Sequence, residues 1–217
     1  EVKRAGGVAM ILRNVGGAGQ TLNADFHSVP SLHVDVAPGA AIKAYVDGGG
    51  ATASLANQGI GTTAAPFNAS FSSRGPITAA GGDILKPDIT APGVDVLAGV
   101  SPFAEGGAQF GFLSGTSMST PHIAGLAALM KQRHPDWSPM MIKSAMMTTA
   151  TPILGTAANT TPFAHGAGHV NINNGVDRGQ VYDSNINDWI NMTCGLGQRS
   201  GCAAPMDPSN LNQASIA

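Results

Sequence analysis

The sequence predicts a chain of mixed strands and helices, with a strand-rich N-terminal region ahead of a helical one. Two observations carry this. Before residue 57, the short apolar runs Val8 to Leu12 and Leu32 to Val36 are broken by glycine pairs and by Pro30 and Pro38, the punctuation of short strands. After residue 114, two segments open on Thr120-Pro121 and Ser138-Pro139 and continue into stretches rich in Ala, Ile, Leu and Met. Proline lacks the N–H that would have no partner in a first helical turn, so a hydroxyl residue followed by proline marks a helix start.

Taken in order, residues 40–46, Ala-Ala-Ile-Lys-Ala-Tyr-Val, predict a short amphipathic helix that ends at Gly48-Gly49-Gly50. Residues 1–56 therefore read as a small β-rich module with one or two helices. Residues 57–70, with scattered Gly, Thr, Ala and Pro, read as a crossing segment. A strand-like Phe71-Ser72-Ser73 meets a turn at Arg74-Gly75-Pro76, and residues 88–97 give turn, strand and apolar stretch in quick succession. The run Ile123 to Met130 has no polar face, so its helix is expected to be buried on all sides. A second helix is expected from Ser138-Pro139 through Met140 to Thr149. From residue 181 onward Asn, Asp and Ser dominate, and the tail reads as polar and irregular.

Composition narrows the function classes. Charged residues make up 11% of the 217, against roughly 25% in an ordinary soluble domain, which suits a compact, largely buried piece of a larger protein. The 29 glycines and 14 prolines make about a fifth of the chain, short of the level of roughly 25–30% that marks low complexity. A net charge of −2 and the lack of any long basic run give nucleic-acid binding no electrostatic support. The longest apolar run falls far below the roughly 18 residues that cross a bilayer, so no membrane partner is expected. The opening Glu1-Val2-Lys3-Arg4 holds neither an initiator Met nor an apolar signal region, as in a processed or truncated chain. The two cysteines, Cys194 and Cys202, lie close in sequence. A disulfide would suit an extracellular protein, two separate thiols are the alternative, and with no His pair nearby they do not make a zinc site.

Chemistry concentrates at Gly115-Thr116-Ser117-Met118. A serine hydroxyl is a poor nucleophile unless a base removes its proton. At a helix start, the N–H groups and the positive end of the helix dipole stabilise the oxyanion formed by attack. A serine at a helix start is ordinarily only a cap, but the surrounding string is longer than a cap needs. Residues 114–129, Ser-Gly-Thr-Ser-Met-Ser-Thr-Pro-His-Ile-Ala-Gly-Leu-Ala-Ala-Leu, closely resemble the nucleophile segment of the subtilisin-like serine proteases. Phe71 to Pro76 and Ile84 to Val94 resemble the family's preceding segments. His134-Pro135-Asp136-Trp137-Ser138-Pro139, Ile142 to Ala145, Gly166 to Asn171 and Val181-Tyr182-Asp183 resemble the region that follows, in the branch best known from plants and some bacteria.

The resemblance implies an α/β fold, a mostly parallel sheet with helices on both faces, in which the helix after Ser117 is the central one. Residues 1–56 resemble the latter part of a protease-associated insert, 57–182 the C-terminal half of the catalytic domain, and 183–217 a tail leading toward a C-terminal β-sandwich. The implied function is a secreted serine endopeptidase that hydrolyses protein or peptide substrates through an acyl-enzyme on Ser117, with the Ser117 N–H as one oxyanion donor. Secretion favours the Cys194–Cys202 disulfide. No cofactor is required; calcium occurs in many members, but no cluster of carboxylates marks a site. Asn68, Asn159 and Asn191 each begin an Asn-X-Ser/Thr sequon, which matters only in a source that glycosylates secreted proteins.

The family's triad runs Asp, His, Ser in chain order, and the insert falls between the His and the Ser. A chain that begins inside the insert is therefore expected to lack the Asp, the His and the oxyanion Asn, to need the N-terminal half of the domain as partner, and to be inert alone. A non-catalytic interaction or assembly fragment is the alternative. Of the histidines at 27, 33, 122, 134, 165 and 169, none has the setting of the base. His122 lies five residues past Ser117, about 140° around a helix, and faces elsewhere. His165 and His169 read as packing or surface residues, and Asp88 and Asp95 as turn formers that bond to backbone.

Overall fold

The structure, a computed structural model, describes residues 1–16, 21–62, 64–78, 81–82, 84–104, 106–155, 161–171, 173 and 180–211. Its fold is α/β, small sheets with helices, in two compact units. The first comprises Glu1–Thr63, Ala69–Phe71 and Gly93–Met118, the second Ala64–Asn68, Ser72–Pro92 and Ser119–Ala217.

In the first unit, β1 (Met10–Arg13) and β2 (Ser31–Val34) pair in parallel, Met10 opposite Ser31 and Arg13 opposite Val34. Helix α1 (Val36–Asp47) follows directly. It starts earlier than the spacing of apolar residues predicts because Asp35 caps it, its carboxylate accepting the Val36 N–H at 2.7 Å, and Pro38 sits in the first turn, where a missing N–H costs nothing. It ends at Gly48, as expected. Strands β3 (Val96–Gly99) and β4 (Phe110–Leu113) form an antiparallel pair, Val96 opposite Leu113.

The chain passes into the second unit within α2 (Thr116–Arg133). Helix α3 (Pro139–Thr148) starts where Ser138-Pro139 predicts, with the Ser138 hydroxyl accepting the Met141 N–H at 3.0 Å. The core forms where Ile123, Leu126, Ala127 and Met130 of α2 meet Ile142, Ala145 and Met146 of α3, joined by Ile89, Trp137, Val170 and Val181. Those α2 positions follow the i, i+3, i+4, i+7 spacing of one face. The opposite face, Ala124, Gly125, Ala128 and Leu129, is exposed, Leu129 at 57%. The all-round burial expected of α2 is thus corrected: an apolar helix is buried only where a neighbour reaches it, and α3 covers one side.

Two further expectations are corrected. Phe71-Ser72-Ser73 forms turn and bend rather than strand; the nearby pairing is a single antiparallel bridge between Ile77 and Ile84, too little to organise a ladder through the turn. The tail is not irregular throughout, since α5 (Ile186–Gly195) follows the one-turn α4 (Pro162–His165). Asn185 and Asp188 make a reciprocal capping box at its start, so these polar residues supply the partners that the first helical N–H groups need.

Cys194, in the last turn of α5, is joined to Cys202, with Cα atoms 6.2 Å apart. The Met206 N–H, a few residues on, donates to the Asn191 carbonyl at 2.9 Å. Closing so short a ring restricts the unfolded chain by about 2–3 kcal/mol. Cys202→Ser is expected to lower the unfolding free energy by that amount, read from the urea midpoint, and two alkylatable thiols in the native protein would refute the pairing. Of the sequons, Asn68 is buried, its side-chain amide donating to the Ala164 carbonyl at 2.6 Å, which leaves no room for a glycan. Asn191 is half-buried on α5, and Asn159 lies outside the described residues. Among the described residues, no helix is long and apolar enough to cross a membrane.

Candidate active site

The β3–β4 pair brings the residue before β3, Asp95, beside the residue after β4, Ser114. The Asp95 N–H donates to the Ser114 hydroxyl at 2.9 Å, and that hydroxyl donates back to the Asp95 carboxylate at 3.2 Å. Asp95 Oδ1 also accepts the Ala24 N–H at 2.8 Å, so its expected backbone bonding is present. The Gly115 N–H then donates to the Gly93 carbonyl at 2.7 Å. Gly115 takes φ 156°, which side chains rarely adopt, although a Cβ would meet nothing closer than the Ser117 nitrogen at 3.6 Å. Backbone conformation rather than space requires glycine here.

From this turn Ser117 enters the first turn of α2. It is exposed, and its hydroxyl makes no hydrogen bond among the described residues. The helix starts at Thr116, ahead of the proline that the hydroxyl–proline rule takes as its opening, so that expectation is corrected. Pro121 sits inside the helix, and its missing N–H is the one that would bond the Ser117 carbonyl. The early turn is held from outside the helix instead, by the Gly115–Gly93 bond and by the Ser119 hydroxyl, which donates to the Ala91 carbonyl at 3.0 Å.

Asp88 departs from the expected turn role. Its carboxylate accepts from Lys86 at 2.7 Å and from Lys143 of α3 at 2.8 Å; Lys86 and Lys143 were visible in the sequence, but no local signal ties them to Asp88. Burial pushes the Asp88 carboxyl up, but the hydrogen bonds from Lys143 and Lys86, and then their charges, outweigh it and hold Asp88 below the ordinary aspartate value. Lys143 is also held below its ordinary value, because burial outweighs a carboxylate that it shares with Lys86. With Asp88 depressed in the fold, the pair's stabilisation is present above the unfolded aspartate value of about 4 and is lost as pH falls through the lower folded value. Asp88→Asn is expected to cost about 2 kcal/mol at neutral pH and to flatten the acid limb of stability; urea midpoints measured between pH 7 and 3 test both.

None of the histidines is hydrogen-bonded to Ser117. His134 stacks on Trp137 with ring centroids 3.9 Å apart, His33 bonds the Asn14 side chain at 2.9 Å, and His169 pairs through its backbone with Thr151. His122 is half-buried on α2, His165 closes α4 and His27 lies on an exposed loop. Among the described residues, no three His, Cys, Asp or Glu side chains converge in a group that could hold a metal ion.

The turn, the exposed serine and the glycine-rich segments around it coincide with a family match. The Subtilase family, Peptidase S8, matches residues 59–180. Subtilisin-like protease SBT1.6 of Arabidopsis thaliana is 39% identical over 248 residues, covering 99% of this chain and 32% of that protein. SBT1.3 of the same plant is 44% identical over 214 residues, covering 89% and 27%, and SBT5.3 is 41% identical over 246 residues, covering 99% and 32%. This chain spans about a third of the length of these relatives. A family match that contains the Ser117 turn, the Asp88 segment and the α2–α3 core shows that the chain belongs to the subtilase family.

Proposed function

We propose that Ser117 is the nucleophile of a secreted serine endopeptidase, which attacks the peptide carbonyl to form an acyl-enzyme while its own N–H donates to the oxyanion. The observation that carries this reading is the exposed Ser117 in the first turn of α2, presented by the Gly115 turn, its hydroxyl without a hydrogen bond among the described residues. Such a hydroxyl needs a general base, and no described histidine bonds to it. The base and its orienting carboxylate therefore come from the N-terminal half of the same domain, as does the Asn of the oxyanion hole, and residues 1–56 belong to a protease-associated insert. A fluorophosphonate probe applied to the full-length protein should label Ser117. Residues 1–217 alone should cleave no peptide until mixed with a segment that carries the missing half, and an active preparation of this chain alone would overturn the division of the site.

A second reading, a non-catalytic assembly element, is favoured by one feature. The exposed face of α2, with Leu129 at 57% exposure, is apolar enough to seat a partner. Absence of fluorophosphonate labelling in the full-length protein would support it.

A further inference from the structure

We propose that Asp95 and Ser114 are positioning residues for Ser117, a pair that aims the nucleophile without touching the reacting atoms. The proposal rests on the assignment of Ser117 above.

Three observations converge on the pair. Asp95 is the one non-glycine residue with positive φ among the described residues, at 52°. Such a conformation persists where its surroundings over-determine it, and here three hydrogen bonds do so: its N–H to the Ser114 hydroxyl at 2.9 Å, and its carboxylate from Ser114 at 3.2 Å and from the Ala24 N–H at 2.8 Å. The register of β3 against β4, with Val96 opposite Leu113, keeps the two residues abreast. Phe26, two residues past Ala24, lies against Phe112 of β4 with ring centroids 4.9 Å apart, so residues 24–26 brace both strands.

The turn beyond the pair is also held through backbone, by the Gly115 N–H on the Gly93 carbonyl and the Met118 N–H on the Gly115 carbonyl at 3.0 Å. Gly115 has no side chain to pack, and the Ser117 hydroxyl bonds to nothing among the described residues. The Ser114–Asp95 exchange fixes where β4 ends and, with the Gly115–Gly93 bond at 2.7 Å, the direction in which the chain leaves it toward α2. A nucleophile whose hydroxyl makes no hydrogen bond among the described residues takes its position from the backbone on either side of it. A displacement of about 1 Å at a reacting group costs about 10²-fold in rate, so losing the exchange should affect turnover more than substrate binding.

The test uses the full-length protein with Ser114→Ala, Asp95→Ala, the double variant, and Ser114→Thr, which keeps the hydroxyl. Each alanine variant should lower kcat, and the second-order rate of fluorophosphonate labelling at Ser117, by about tenfold or more with KM within about twofold. The double variant should be no slower than the slower single, because both remove one exchange, and Ser114→Thr should recover most of the rate. Alanine variants that label and turn over like the parent, with only a lower melting temperature, would show the pair to be merely structural and overturn the proposal. A parent protein that never labels at Ser117 would instead sink the nucleophile assignment. If Asp95→Ala is not recovered folded, Ser114→Ala, which removes a single oxygen, decides alone.

Discussion

Ser117→Ala in the full-length protein is expected to abolish peptide hydrolysis and fluorophosphonate labelling while leaving stability almost unchanged. Subtilisin itself loses about 10⁶ in turnover when its nucleophile is removed, and that measured precedent sets the size expected here. The serine is exposed and its hydroxyl makes no hydrogen bond among the described residues, so the alanine removes no described contact, and an unfolding change within about 0.5 kcal/mol follows. The combination is diagnostic: a large loss of turnover with an unmoved urea midpoint assigns Ser117 to the chemistry. Activity that survives the substitution, or labelling at Ser114 or Ser119, would overturn the assignment.

Gly166→Ala is expected to produce a large loss of stability. Gly166 follows α4 with φ 62°, a region that side chains enter at a cost of about 1 kcal/mol or more. A Cβ there would also overlap the backbone carbonyl of Asp88, and the adjacent Ala167 N–H donates to that same carbonyl at 2.9 Å. Backbone cannot rotate aside as a flexible side chain can, so the combined cost should reach about 3–4 kcal/mol. A variant with parental stability would mean that Asp88 and Gly166 are not packed backbone to backbone.

What the sequence determined alone were features set within a few residues. Ser138-Pro139 started α3, Gly48 ended α1, and the string around Ser117 placed the candidate nucleophile and the family, because a cap, a glycine stop or a local motif needs no distant partner. The Asn185 and Asp188 spacing held a capping-box signal of the same local kind, hidden because Asn and Asp also build loops. Tertiary structure alone decided the rest. Asp88 meets Lys143 only when α3 docks beside the segment before β3, Asp95 meets Ser114 only through the β3–β4 register, and α2 begins before Pro121 because carbonyls of residues 91 and 93 hold its first turn. One face of α2 is buried and the other exposed although the sequence makes both apolar. Hydrophobicity fixes that a face gains by being covered, while only the packed chain decides which face finds a neighbour.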